Sequence, residues 1–225
     1  MGTRAVVSWS SGKDSMLSLY YARKFGVEIV GLLSTITRDY GRVTLHGIHE
    51  SLVEAQAGSL GLELFKVYIP ASPSNKEYER AMKEALARLK RRGVEAIVFG
   101  DIFLRDVREY REKMLRGTGV KPLFPIWGVD TRILSAVLLQ LGVKAVIASV
   151  DPSVLDPSWV CTDYTLNFIE SLPSAVDPCG ERGEFHTFVY DSPLFRKPVS
   201  IERRGPVRRN GYYYCDLAGP TLPRA

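Results

Sequence analysis

Apolar and polar positions along the chain follow two rhythms. "RAVVSW" is an unbroken apolar run of strand length, and "SMLSLYYARKFG" follows it with helical spacing and a closing Gly26. "VEIVGLLST" reads as a second strand. In "TLHGIHESLVEAQAGSLG", Leu45, Ile48, Leu52, Ala55 and Leu60 recur at helical spacing. "ELFKVYIP" reads as a third strand, and Ser74 with Glu77 forms a capping box before "YERAMKEALARLKRRG". "EAIVFGD" is a fourth strand with the helix "FLRDVREYREKMLRG" after it. Asp130 can cap "TRILSAVLLQLG", and "VKAVIASV" reads as a fifth strand. Strands that alternate with helices this closely build an α/β fold: a doubly wound, five-stranded parallel sheet. Such sheets take ligands outside the carboxyl ends of their strands.

The rhythm breaks after Val150. "DPSVLDPSWV" is punctuated by proline, "TDYTLNFIESLP" reads as one helix, and "EFHTFVYD", "VSIERR" and "YYYCDL" read as strands. The last two meet across "RNG", where Asn210-Gly211 suits a type I′ turn. The organisation expected is a larger unit over 1–150 and a smaller α+β unit over 151–225.

Composition narrows the class. A chain of 225 residues, 45% hydrophobic and 24% charged, is ordinary for a globular protein. No apolar run approaches the roughly 20 residues of a membrane span, and "MGTRAVV" lacks the apolar core of a signal peptide, which reads as cytoplasmic. The formal net charge of +5 favours anionic ligands. No basic stretch is interleaved with aromatics, so the sequence argues against nucleic acid; "ERRGPVRRNG" reads as a charged hairpin. Cys161, Cys179 and Cys215 show no metal-ligand spacing, and their odd number argues against a disulfide framework. No metal ligands are assigned, and a homo-oligomer is compatible with the sequence.

The chemistry concentrates first in "SSGKDS", residues 10–15, where the first strand hands over to the first helix. A helix start offers unpaired N–H groups and the positive end of the dipole. Ser10, Ser11 and Ser15 add hydroxyl donors, Gly12 allows close approach, and Lys13 adds a charge. Lys13 is expected to face solvent, so its removal should cost little stability. Asp14 is either a helix-start residue or a group that fixes Mg²⁺ or the loop. The loop is neither a Walker A motif nor a G-x-G-x-x-G fingerprint. It resembles the S-G-G-x-D-S pyrophosphate loop of the N-type ATP pyrophosphatases, and the resemblance implies a HUP-like fold with the strand order 3-2-1-4-5. Ser11 replaces the first glycine of that signature and must adopt a backbone geometry that glycine takes more easily.

The second dense stretch is "VDPCGERGEFHTFVYDSPLF". Read from composition alone, Glu181 and Glu184 are solvated acids on a turn. Yet "CGERGEFHT", together with "GDIFLRDVREYRE", "PLFPIWG" and "DPSVLDPSW", resembles the diphthine–ammonia ligase family from the first strand to about Phe195. That resemblance implies an AMP-forming ligase using ATP and Mg²⁺. It would adenylylate the carboxylate of diphthine on translation elongation factor 2 and let ammonia displace AMP. Two alternatives stay open: the same ATP chemistry on another acceptor (a tRNA base or a small carboxylate), or a regulatory module that binds adenine nucleotides without chemistry.

The resemblance implies roles by position. Residues 10–15 hold the leaving pyrophosphate, and Ser34 and Thr35 at the end of the second strand line the adenine site. Gly100 and Asp101 close the fourth strand beside the same crevice, although Asp101 can equally be read as a helix N-cap. Arg111 and Glu112 read as a solvated helix face and, by resemblance, as substrate contacts. His46 shares a helical face with Glu50 and is a further candidate for substrate contact. Glu181 and Glu184 are assigned to the acceptor and ammonia, with Lys13 and Asp14 catalytic beside them. The "CGERGE" loop is expected to fold over the strand ends and face residues 10–15.

Overall fold

The computed structural model describes residues 2–43 and 47–219. In chain order the elements are β1 (Arg4–Ser8), α1 (Lys13–Lys24), β2 (Glu28–Thr37), β3 (Arg42–Val43), α2 (Glu50–Leu60), β4 (Glu63–Ile69), α3 (Asn75–Arg91), β5 (Ala96–Val98), α4 (Arg105–Leu115), β6 (Lys121–Leu123), α5 (Thr131–Gln140) and β7 (Lys144–Val150). A short 3-10 turn (Pro157–Trp159) follows, then α6 (Leu166–Ser171), β8 (Phe185–Asp191), β9 (Glu202–Arg209) and β10 (Tyr212–Ala218).

The parallel strands run β4-β2-β1-β5-β6. The first four positions match the expected order 3-2-1-4, with β1 at the centre. Both faces are covered, as continuous apolar strands require. Ala5, Val7, Ala96 and Val98 face one core with Met16 and Leu17 of α1 and Leu52 and Val53 of α2. Val6 and Ile97 point the other way, into a core with Met82, Leu86 and Leu89 of α3. The period of two along β1 and β5 therefore serves two helical layers at once.

One strand is not where the sequence put it. The fifth parallel position is filled by β6, a three-residue edge strand carrying Pro122, which pattern reading passes over. The expected fifth strand, β7, lies inside a second, antiparallel sheet of order β8-β7-β10-β9. A short apolar run buried on both faces looks the same in either setting, so periodicity cannot assign its partner.

Local chemistry behaves as read. Ser74 and Glu77 form a reciprocal capping box, and Asp130 accepts from the Arg132 N–H at 2.8 Å. Asn210 and Gly211 both take positive φ (47° and 87°), as a type I′ hairpin needs. Helix α2 starts later than its apolar spacing implied, with His49 as its N-cap accepting from Ser51 N–H. His46 lies outside the described residues. The cysteine expectation is corrected: Cys161 and Cys215 are joined in a disulfide across 54 residues, and Cys179 is free and buried. An odd count leaves room for one bridge and one thiol, and the pairing depends on β10 lying beside β7. No helix among the described residues is long and apolar enough to cross a membrane.

Candidate active site

Strand β1 ends at Ser8, and the chain turns through Ser10, Ser11 and Gly12 into α1. Ser11 adopts φ 72°, the left-handed conformation its glycine-like position demands. It is fully buried, and its carbonyl accepts from Val189 N–H at 3.0 Å and from Gln56 Nε2 at 3.0 Å. Gln56 also donates to the Val189 carbonyl at 2.6 Å and accepts from Trp9 Nε1 at 2.8 Å. The turn is thus clamped between α2 and β8 of the second sheet. The Lys13 N–H donates to Thr187 Oγ1 at 3.1 Å, so β8 supplies the side-chain oxygen that the N-cap Gly12 lacks.

Lys13 does not face solvent. Only 1% of it is exposed, and its Nζ donates to Asp14 Oδ2 at 2.9 Å and to the Cys179 carbonyl. The ammonium also lies 5.5 Å and 5.1 Å from the ring centres of Tyr164 and Phe185. Burial is the largest single influence and pulls the lysine down, but the charge and hydrogen bond of Asp14 together with Cys179 and Asp177 outweigh it, and Lys13 is raised. Burial raises Asp14 against the pull of Lys13, and its Oδ1 has no hydrogen bond among the described residues. The expectation of a dispensable surface lysine is therefore corrected. The side chain closes the contact between the two sheets.

That contact creates a cavity of about 220 Å³ walled by Ser10, Gly12, Lys13, Asp14 and Ser15 on one side and by Gly180, Glu181 and Thr187 on the other. Gly100 and Asp101, at the end of β5, form its floor. A Cβ on Gly100 would sit 3.1 Å from the backbone of Asp14 and Ser15, so a side chain there would crowd the first turn of α1. Gly180 is required as well. It has φ 67°, and a Cβ would come within 2.6 Å of the Phe185 carbonyl oxygen. A second cavity of about 330 Å³ opens where β1 and β2 end, lined mainly by apolar residues including Trp9, Leu33, Val43 and Met82, with Thr35 at its edge.

The two glutamates are not equivalent. Glu181 faces the first cavity, and its Oε1 accepts from the N–H groups of Ile102 (2.7 Å) and Phe103 (3.3 Å). Burial pushes it up to about 7, against the pull of those two N–H groups. Glu184 is only 6% exposed and lies outside the cavity wall. Its oxygens accept from Asp177 N–H at 3.1 Å and Arg182 N–H at 2.9 Å, so it staples its own loop. Neither is the solvated acid that composition suggests. His186 also lines the cavity, and burial with the Lys13 charge lowers it to about 4, which keeps it neutral.

The remaining candidates divide in the same way. Ser10 and Ser15 line the cavity, with their hydroxyl oxygens 3.3 Å apart, whereas Ser11 contributes only backbone shape. Ser34 is buried and donates to the Trp9 carbonyl at 2.7 Å, so Thr35, not Ser34, reaches the second cavity. Asp101 does not cap α4, whose N-cap is Leu104. Arg111 lines both cavities, while Glu112 pairs with Arg108 at 2.8 Å outside them. Gln56 and Thr187 were not singled out by sequence reasoning. Gln56 was visible as one of two polar residues, with Ser59, on the buried face of α2, and Thr187 lies within the quoted "CGERGEFHT".

Carboxylates, a buried ammonium and serine hydroxyls at a helix start, joined to an apolar recess, suit a nucleotide with its phosphates at the loop. Asp14 Oδ1, buried without a hydrogen bond, fits a cation carried on those phosphates.

Comparison with known proteins places the chain beside diphthine–ammonia ligases. A Schizosaccharomyces pombe protein named diphthine–ammonia ligase is 24% identical over 229 residues, which cover 92% of this chain and 38% of that protein. Proteins of the same name from Danio rerio and Rattus norvegicus are 25% and 27% identical, cover 88% and 93% of this chain, and are each covered over 86% of their own length. The chain therefore spans well under half of the yeast relative and most of the two vertebrate ones. The family profile of the diphthamide synthase N-terminal domain matches residues 3–122 and that of the C-terminal domain matches residues 130–217, and the chain belongs to the diphthamide synthase family.

Proposed function

We propose that the chain is an ATP-dependent, AMP-forming ligase that converts the carboxylate of diphthine on elongation factor 2 to an amide with ammonia. One observation carries the reading: the serine- and lysine-bearing loop and the Gly180–Glu181 loop wall a single cavity. A ligase needs that arrangement, because the activated acyl group and its nucleophile must meet in one place. The likeness to relatives named diphthine–ammonia ligase supports the choice of substrate.

The step at ATP forms a bond from a carboxylate oxygen to the α-phosphorus and breaks the bond to the bridging oxygen, releasing pyrophosphate. Ser10, Ser15 and Lys13 oppose the charge that builds on the leaving group. Mg²⁺ would be held by the phosphates with Asp14 and would neutralise part of the same charge. Ammonia then attacks the acyl carbon, the mixed-anhydride bond breaks, and AMP leaves. The attacking nitrogen must shed a proton. Glu181, poised near neutrality at the cavity wall, is the acceptor. In this proposal the parallel sheet serves the nucleotide, the second sheet serves the acceptor and the nucleophile, and the work is done in the cytoplasm, where elongation factor 2 resides.

The test is to incubate the protein with ATP, Mg²⁺, ammonium and diphthine-bearing elongation factor. AMP and amidated factor should appear in equal amounts. AMP formation that is indifferent to the factor and to ammonium would move the assignment to another acceptor. Nucleotide binding with no AMP would leave a binding module instead.

A further inference from the structure

The two cavities share the wall formed by Ser8, Ser10, Phe99 and Arg111, and Arg111 is the one charged side chain common to both. It comes from the middle of α4, and its guanidinium lies over the Phe99 ring, 5.3 Å from the centroid. Its Nε sits 3.5 Å from Asp101 Oδ2. That separation is too long for a good charge-assisted hydrogen bond, which for such a pair falls near 2.7–2.9 Å. Neither the Arg111 Nε nor the Asp101 Oδ2 has any other hydrogen bond among the described residues, although both atoms are buried. Buried polar atoms left without partners are rare and call for an explanation. Leaving a guanidinium donor unsatisfied is costly, and Arg is the side chain best shaped to meet phosphate oxygens in pairs.

A nucleotide laid across the two cavities has a fixed order of parts. The base and ribose enter the apolar recess beside Trp9 and Leu33, and the β- and γ-phosphates reach Ser10–Ser15. The α-phosphate must then sit at the junction between them, where Arg111 stands. We infer that Arg111 is the α-phosphate ligand, held ready by a loose contact with Asp101 that it exchanges for phosphate oxygens when nucleotide binds. This rests on the nucleotide placement proposed above. It assigns Arg111 to the group that remains bound as AMP after pyrophosphate leaves, and so makes it a clamp on the adenylylated intermediate. Lys13 and the serines, by contrast, act on the departing half. Asp101 is a positioning residue: it orients the guanidinium and offers the weaker of two partners.

The test is calorimetric titration of the full chain with adenosine, AMP and ATP. Arg111→Gln should weaken AMP and ATP by about tenfold or more, the loss expected for one charged hydrogen-bond partner. It should leave adenosine within about twofold of wild type. Retained adenosine binding also reports that the fold and the apolar recess are intact. Asp101→Asn should keep or tighten AMP binding, because it removes the competing charge. Arg111→Gln with wild-type AMP affinity overturns the inference. So does a parallel loss of adenosine, which would make the arginine a structural member of the wall. Asp101→Asn that weakens AMP by about tenfold also contradicts the exchange. Wild-type protein that binds neither AMP nor ATP would refute the nucleotide site itself, and this inference with it.

Discussion

The two loops that meet at the cavity are built in opposite ways. The first, Ser10–Ser15, is a local device: a strand end, a left-handed Ser11 and a helix start within six residues. The second, Asp177–Phe185, is held by its own carboxylates. Asp177 Oδ1 accepts from the N–H groups of Cys179 and Glu181, and Glu184 accepts from those of Asp177 and Arg182. Each loop nonetheless leans on residues beyond its own sheet at more than one point, the first through Val189 and Thr187 and the second through Ile102, Phe103 and Lys13. The first takes its cap from Thr187 and the second returns a carbonyl, at Cys179, to Lys13. A motif legible in six letters is therefore completed by residues more than 160 positions away. The identity of "SSGKDS" alone understates what holds it in place.

The sharpest way to break this interdependence is Lys13→Ala. It strips the partner from Asp14, removes the donor to Cys179 and empties the space between Tyr164 and Phe185. Removing one member of a buried ion pair costs about 3–5 kcal/mol. Chemical denaturation should show a loss of that order, along with absent AMP formation. A variant as stable as wild type would mean that the lysine does not join the two sheets.

Glu181→Gln should act next most strongly, and on chemistry rather than on folding. Loss of a general base lowers rates by about 10²–10⁴-fold, so amide formation should fall that far while ATP affinity holds. Burial raises the folded-state value of Glu181 to about 7, above that of an ordinary carboxylate. The folded chain thus binds this proton more tightly than the unfolded chain does. The group's contribution to stability is fully present below the ordinary carboxylate value and is lost as pH rises through about 7. Activity carries the opposite slope, since only the ionised form accepts a proton. At constant free ammonia, the rate should climb through an apparent value near 7 in wild type and lose that limb in Glu181→Gln. An unchanged pH profile in the variant would count against the role.

Glu184→Gln separates the two acids. Its oxygens are spent on backbone N–H groups, and weakening those charge-assisted bonds costs about 1–2 kcal/mol. Thermal unfolding should shift down, while amide formation per folded molecule stays near wild type. A loss of activity equal to that of Glu181→Gln would show that both acids meet substrate.

The smallest effect is expected for Ser11→Gly. A left-handed residue other than glycine costs about 1–2 kcal/mol, and the Ser11 hydroxyl is buried without a hydrogen bond among the described residues. Glycine should raise stability by about 1 kcal/mol, since its greater freedom in the unfolded chain offsets part of the gain. AMP formation should be unaltered. Destabilisation would mean that the hydroxyl has a partner the geometry does not reveal.

The sequence by itself determined most of the elements, their caps and the loop. The parallel sheet followed from alternation, the capping box at Ser74 from two residues, the hairpin turn from Asn210-Gly211, and the strain at Ser11 from its place in a glycine position. All of these are short-range consequences of backbone sterics and hydrogen-bonding groups within a few residues. Tertiary structure decided what contacts at long range decide. It placed β7 in the second sheet, joined Cys161 to Cys215, buried Lys13 and turned Glu181 toward the cavity while Glu184 faced its own loop. An apolar strand carries no mark of which sheet will accept it. Likewise, the surroundings of a charge are set by whatever packs over it, and here that cover comes from the far end of the chain.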